Sequence, residues 1–284
     1  MVIVKPRLND ILLTTLTPII WGTTYVVTTE LLPQNYPITT SVLRALPAGL
    51  LLLLITRALP SGVWIWRSFV LGAFNFAIFL VLLFTSAYHL PGGIASTIGA
   101  IHPLITAVLA WIILGQRLTL TRILAGIAGI SGVALMALTS VDKLNTLGII
   151  TAIGSAISLA IGVVLTHKWR PPVSALAFTG WQMTAGGLLL LPIAMYFEPS
   201  LPALDTTNIL GFVYLGLIGG AVSYFLWFRG IGLLGPTLAS SIGLISTVTA
   251  VLIGVFWVNE TLTLFQMLGI LLVISSVWIA STSK

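Results

Sequence analysis

Apolar residues run along this chain in blocks of roughly twenty, each parted from the next by a few polar, Pro or Gly residues. A helix of about that length, rising 1.5 Å per residue, crosses a hydrocarbon layer about 30 Å thick. Only 6% of the 284 residues are charged, against about 25% in a soluble globular chain. So few charges cannot build a water-facing surface, and lipid is the solvent expected for most of the molecule. The fold class read from this pattern is all-α integral membrane. The formal charge of +6 does not point to nucleic acid, because the basic residues stand singly between apolar blocks and form no patch. Cysteine is absent, which excludes disulfides and thiol-bound metals. Lys5 and Arg7 precede a first block that is long and lacks a small-residue cleavage site, so it reads as a retained helix and not as a removed signal peptide.

The blocks predict ten spans, at roughly 10–29, 38–56, 67–86, 92–114, 120–138, 147–166, 173–195, 209–229, 237–258 and 263–281. Pro and Gly mark the breaks, among them Pro33 to Pro37, Pro60 to Gly62, Pro91 to Gly93, Pro171-Pro172 and Gly235-Pro236. Threading ten spans with both ends on one side gathers Lys5, Arg7, Arg57, Arg67, Arg117, Arg122, Lys168, Arg170, Arg229 and Lys284 on that side and leaves Lys143 on the other. The second face collects Glu30, Asp142, Glu198, Asp205 and Glu260. By the positive-inside rule both termini are cytoplasmic. Nine or eleven spans would scramble this segregation.

Shifting the chain by 144 positions brings Leu90, Ala95, Ser96, Ile98, Gly99 and Ile101 onto Leu234, Ala239, Ser240, Ile242, Gly243 and Ile245. The register continues without a gap, from Gly72, Ala77 and Phe84 on Gly216, Ala221 and Phe228 to Leu118, Thr119 and Leu120 on Leu262, Thr263 and Leu264. Spans three to five thus match spans eight to ten, and the unit is five helices. Residues 1–140 are expected to form the first repeat and 141–284 the second. An odd number of helices inverts the second copy, which creates the pseudo-two-fold relation used for alternating access.

Trp21-Gly22-Thr23 in span one, Leu114-Gly115-Gln116-Arg117-Leu118-Thr119 after span four and Asn259-Glu260-Thr261-Leu262-Thr263 after span nine carry a resemblance. Over essentially its whole length the chain resembles the EamA-type branch of the drug/metabolite transporter superfamily. Arg44-Ala45-Leu46-Pro47 and Phe178-Thr179-Gly180-Trp181-Gln182 look like its PecM-like group of pigment and metabolite exporters. Gln116 departs from the pattern, since members often carry Glu there. The resemblance implies an inner-membrane carrier whose central cavity is lined mainly by spans one, three, four, six, eight and nine.

Polar groups within hydrocarbon are costly and by default face the bundle interior. On that ground the candidate substrate-binding residues are Trp21, Tyr25, Arg44, Asn75, Phe79, His102, Trp181, Gln182, Tyr224 and Trp227. Arg44, about two turns inside span two, either snorkels or is paired, with Glu30 as the expected partner, or it serves in gating or in holding an anionic group. His102, near the middle of span four and before Pro103, is either a neutral group bonded to a Ser or Thr of another helix or a cavity contact that handles protons. Trp21 with Tyr25, Asn75 with Phe79, and Thr24 with Thr28 sit four apart and share faces. Trp64, Trp66, Trp169 and Trp257 read as interfacial anchors. Ala95 with Gly99 and Ala239 with Gly243 read as close helix packing, and Gly126, Gly129 and Gly132 as packing within the fold or between the protomers of a homodimer.

The function expected is an exporter of small amphipathic metabolites, amino-acid-like or aromatic compounds or drugs, with import or a facilitative channel as the alternatives. The partners are a small-molecule substrate and the bilayer; a coupling proton or other ion stays open, and no cofactor or metal is called for. No Gly-x-x-x-x-Gly-Lys-Ser/Thr loop is present, so ATP hydrolysis by this chain is excluded. An intramembrane enzyme would need more than one isolated His102, and neither His-Glu-x-x-His nor Gly-x-Ser-x-Gly occurs.

Overall fold

A computed structural model describes residues 8–90, 95, 98–117, 119–137, 145–258 and 263–282. Lys5, Arg7, Ser96, Leu118, Asp142, Lys143, Lys284 and the 259–262 part of the second loop motif lie outside them. The described chain is helical, with no strand among the described residues. In order come α1 (Leu8–Gly22), α2 (Thr24–Leu31), α3 (Pro37–Thr56), α4 (Val63–Gly72), α5 (Ile78–His89), α6 (His102–Leu114) and α7 (Leu120–Ala137). They are followed by α8 (Thr146–Trp169), α9 (Ala175–Phe197), α10 (Thr206–Gly216), α11 (Ser223–Leu234), α12 (Pro236–Gly243), α13 (Ile245–Val258) and α14 (Leu264–Thr282). Among the described residues six stretches are long and apolar enough to cross a membrane: Leu8–Leu31, Pro37–Thr56, Val63–His89, Thr146–Trp169, Ala175–Phe197 and Thr206–Leu234. His102–Leu114 is a shorter apolar helix.

The distribution of side chains is that of a protein in lipid. Leu54, Met195 and Leu271 are 74%, 78% and 61% exposed, while Thr28, Asn75 and Gln182 are fully buried. An outer surface of Leu and Ile on this scale marks a membrane-facing molecule. Several hydroxyls are satisfied locally: Thr14, Ser41, Thr56 and Thr85 donate to the carbonyl four residues back, so they sit in apolar helices with little penalty.

Glycine sets how closely the helices cross. A Cβ on Gly186 of α9 would stand 2.6 Å from the Phe76 Cβ and 2.8 Å from the Gly72 carbonyl, and one on Gly187 would stand 2.5 Å from the Leu46 Cβ. α3 and α4 therefore pack backbone-close on α9. The Gly126, Gly129 and Gly132 series packs within the chain: a Cβ on Gly129 would meet Leu244 and Ser276, and one on Gly132 the Gly269 carbonyl and Leu272.

Two kinds of irregularity recur at the 144-residue interval. A π-helical segment, Ala73–Ala77, joins α4 to α5, and another, Leu217–Val222, joins α10 to α11. Helical continuity is lost at Ala100-Ile101 before α6, and again at Leu244 between α12 and α13. Pro103, in the first turn of α6, cannot donate a backbone hydrogen bond and fits a helix start. A third break, at Thr23, separates α1 from α2.

Candidate functional site

The π-helical segments leave carbonyls for other helices to use. The Ser223 amide bonds to Ile218 and Gly220 and passes over Gly219. The Gly219 carbonyl instead accepts from Arg44 Nη2 at 2.9 Å, Ser223 Oγ at 2.6 Å and Trp21 Nε1 at 3.2 Å. In the other segment the Ile78 amide reaches back to Ala73, and the neighbouring Phe74 carbonyl accepts from Ser158 of α8 at 2.8 Å. Bulges of this type are frequent at functional sites. Here they tie α1, α3 and α8 to the middle of the bundle.

Around these ties lies a cavity. Its floor is aromatic: the Trp21 ring centroid is 4.8 Å from Tyr224 and 5.1 Å from Trp227, and Tyr224 meets Phe76 at 4.4 Å. Trp21 is held by its N–H, which donates to Ser223 Oγ at 2.9 Å. Tyr25, Arg44, Phe79 and His102 complete the wall, with small residues of α8 and the Ala100 and Leu244 breaks between them. The cavity volume is about 110 Å³, several times the roughly 10–15 Å³ that holds one water. Seven of the ten sequence-derived candidates thus come together.

The other three do not. Asn75 Nδ2 donates to Gln182 Oε1 at 2.7 Å and to Thr166 Oγ1 at 3.1 Å, a buried amide pair against Gly162 and away from the cavity. Asn75 and Phe79 were expected on one face, but the π turn between them rotates Asn75 towards α8 and α9. Trp181 donates to the Ala58 carbonyl at 2.7 Å and stands 6.0 Å from Trp64. It lies only about two turns into α9, beside the Arg57 turn, so it belongs to the helix-end layer and not to the centre. In that layer Arg67 lies 5.2 to 5.7 Å from the Trp64, Trp66 and Trp169 rings.

Arg44 is 2% exposed. It neither snorkels nor pairs with Glu30, whose Oε1 is near Thr29 at the exposed end of α2; its second hydrogen bond runs from Nη1 to Thr24 Oγ1 at 3.3 Å. His102 Nε2 lies 3.3 Å from Thr106 Oγ1 of its own helix, and Ser240 of α12 donates to that hydroxyl at 3.2 Å. Sequence reasoning passed over the small lining residues. Gly99 was expected to be in close packing, yet a Cβ there meets nothing within 4 Å and the residue borders the cavity. Ser86 and Ser155 also line it, with no signal beyond a hydroxyl in an apolar block.

A second cavity lies at the other end of the bundle, lined by His167, Arg170, Phe228, Arg229 and Gly232. On α8, Ser155 faces the first cavity and His167 the second, about 18 Å apart along the axis. Trp227 and Phe228 divide the two on α11. Beside them Arg229 Nη2 is 2.7 Å from Asp10 Oδ1, which fastens α11 to the start of α1.

The sequence pattern of the EamA-like transporter family matches residues 9–138 and again 146–282. The chain belongs to this family. It is a multi-pass membrane transporter of the drug/metabolite type. Protein PecM of Dickeya dadantii (strain 3937) is 39% identical over 261 residues, covering 91% of this chain and 88% of that protein. The WAT1-related protein At3g02690, chloroplastic, of Arabidopsis thaliana is 30% identical over 92% of the chain and 66% of its own length. A solved crystal structure superposes with a TM-score of 0.80 over 96% of both chains at 17% identity, a likeness of fold alone. The predicted spans one, three, four, six, eight and nine, to which the resemblance assigns a central cavity, all contribute lining residues to the first cavity, and Arg44 adds predicted span two.

Proposed function

We propose that this transporter is a secondary carrier that exports small amphipathic metabolites across the inner membrane by alternating access. Its ten spans form two inverted five-helix repeats, 1–140 and 141–284, with both termini in the cytoplasm. The observation that carries this reading is the pair of cavities at opposite ends of α8 and α11, separated by the Trp21, Tyr224, Trp227 and Phe228 layer. The two family matches and the recurrence of the π-helical segments and breaks at the same interval support the duplication. Two similar halves offer two packings of equal kind, and exchange between them moves a midplane site from one side to the other. In the described conformation the larger set of sequence-derived site residues faces the outer side, and the Asp10–Arg229 pair closes the cytoplasmic side. The substrate meets Trp21, Tyr25, Phe79, Tyr224 and Trp227 as apolar walls, with Arg44 and His102 as polar fixing points; Asn75, Trp181 and Gln182 support the walls from behind. His102 is the cavity group suited to a coupling proton.

Because cysteine is absent from the sequence, single-cysteine access reports cleanly. Gly99→Cys and Gly232→Cys border the two cavities, and a Cβ at either position meets nothing within 4 Å. In proteoliposomes a membrane-impermeant maleimide is expected to reach Gly99→Cys from the outer side and Gly232→Cys from the cytoplasmic side, with substrate shifting the two rates in opposite directions. Labelling of both from one side refutes the arrangement. The second reading, a facilitative channel, predicts flux that neither saturates nor shows counterflow.

A further inference from the structure

The cavity has one formally charged side chain among its described lining residues, Arg44, and no Asp or Glu. Its guanidinium is buried, and the one salt bridge among the described residues, Asp10 with Arg229, is elsewhere. Two hydrogen bonds, to Thr24 and Gly219, use part of its donor set, while Nε–H finds no protein acceptor. Three more buried groups of the same wall also lack partners among the described residues: the Ser86 and Tyr224 hydroxyls and Trp227 Nε1. All of them can donate, and the guanidinium and indole can do nothing else. A buried cation without a counter-ion is strongly disfavoured. What such a wall lacks is negative charge spread over acceptor atoms.

We propose that the cargo is a small amphipathic monoanion, a carboxylate on an aromatic or aliphatic body. The carboxylate lies against Arg44, whose planar fork matches it, and takes the unpartnered Tyr224 hydroxyl as a second donor, while the body lies on the Trp21, Tyr224 and Trp227 rings. A dianion would bring more charge than Arg44 balances, and a cation would add to the charge already there. Arg170 and Arg229 line the second cavity, again without Asp or Glu. The positive-inside rule accounts for those two but not for Arg44, so the weight rests on Arg44. The assignment depends on the carrier reading above and names its substrate class.

Calorimetric titration of the purified full chain with phenylacetate, phenylacetamide and 2-phenylethylamine compares one body in three charge states. Phenylacetate is expected to bind at least about tenfold tighter than the other two, as charge-assisted hydrogen bonds require. Arg44→Gln abolishes the preference, and Arg44→Lys keeps its sign at reduced affinity. Tyr224→Phe, which leaves the ring packing intact, weakens phenylacetate by about threefold or more, so the test survives a failure of Arg44→Gln to fold. Equal or tighter binding of the amide or amine, lost in Trp21→Ala, overturns the carboxylate assignment and leaves the carrier reading standing. No binding of any of the three overturns the assignment together with this cavity as the substrate site.

Discussion

Gly186→Ala and Gly99→Ala are the same chemical change at two helical glycines, and the packing assigns them opposite outcomes. In a helix interior alanine is favoured over glycine by about 0.8–1.0 kcal/mol. At Gly186 the new Cβ would stand 2.6 Å from the Phe76 Cβ and 2.8 Å from the Gly72 carbonyl oxygen, where ordinary contact begins near 3.4 Å. Both neighbours are fixed to backbone, so α9 must move away from α4 by roughly 0.6–0.8 Å, an overpacking that costs about 1–3 kcal/mol. Set against the propensity gain, the net destabilisation by Gly186→Ala centres on about 1 kcal/mol, within a range of about 0–2 kcal/mol. At Gly99, the last helical residue before the Ala100-Ile101 break, nothing lies within 4 Å, so alanine leaves stability unchanged or raises it by less than the helix-interior gain of about 1 kcal/mol. The assay is the fraction of detergent-solubilised protein that stays monodisperse on size-exclusion chromatography after heating. Gly186→Ala must lose its peak at a lower temperature than the parent, and Gly99→Ala must not. Gly186→Ala as stable as the parent refutes the close crossing of α4 and α9. Gly99→Phe extends the test to function: it should fold and lose transport because its ring fills the cavity, and full transport would remove the cavity from the pathway.

Asn75→Ala and Gln182→Ala each strand a buried partner and should destabilise by about 1–3 kcal/mol, with the double variant losing less than the two effects added; ligand affinity, read by titration, should stay unchanged because the pair lies outside the cavity. Trp21→Phe keeps a ring on the floor but removes the N–H bonded to Ser223 and Gly219, so thermal stability should fall by about 1 kcal/mol and ligand affinity with it. Asp10→Asn breaks the ion pair with Arg229 at the cost of about 1 kcal/mol or less, and should raise the rate at which Gly99→Cys is labelled from the cytoplasmic side.

The block pattern alone placed most helices to within a few residues: α3 at Pro37–Thr56 against an expected 38–56, and α9 at Ala175–Phe197 against 173–195. Hydrophobic length is a local property, and lipid leaves a chain of this composition little choice but helix. The interruptions were less legible. The break at Thr23 falls in Gly-Thr-Thr, where no proline announces it. The π turns fall in Ala73–Ala77, which carries no sequence mark of its own, and in Leu217–Val222, where Gly219-Gly220 marks a weak point in the helix but not a π turn. They decide which residues face inward, which is why the four-residue spacing joined Asn75 to Phe79 and the structure parts them.

By itself the sequence determined the solvent, the helical class and most of the aromatic cavity floor. Each follows from composition or from spacing along one chain. Only the tertiary structure decided that Arg44 bonds a carbonyl 175 residues away and not Glu30, that Trp181 belongs to a helix-end layer, and that Gly99 borders space while Gly186 touches backbone. A buried cation takes whatever acceptor the packing presents, and a glycine is a contact or a void according to what faces it. The facing element is set by how the helices cross, which no local pattern carries.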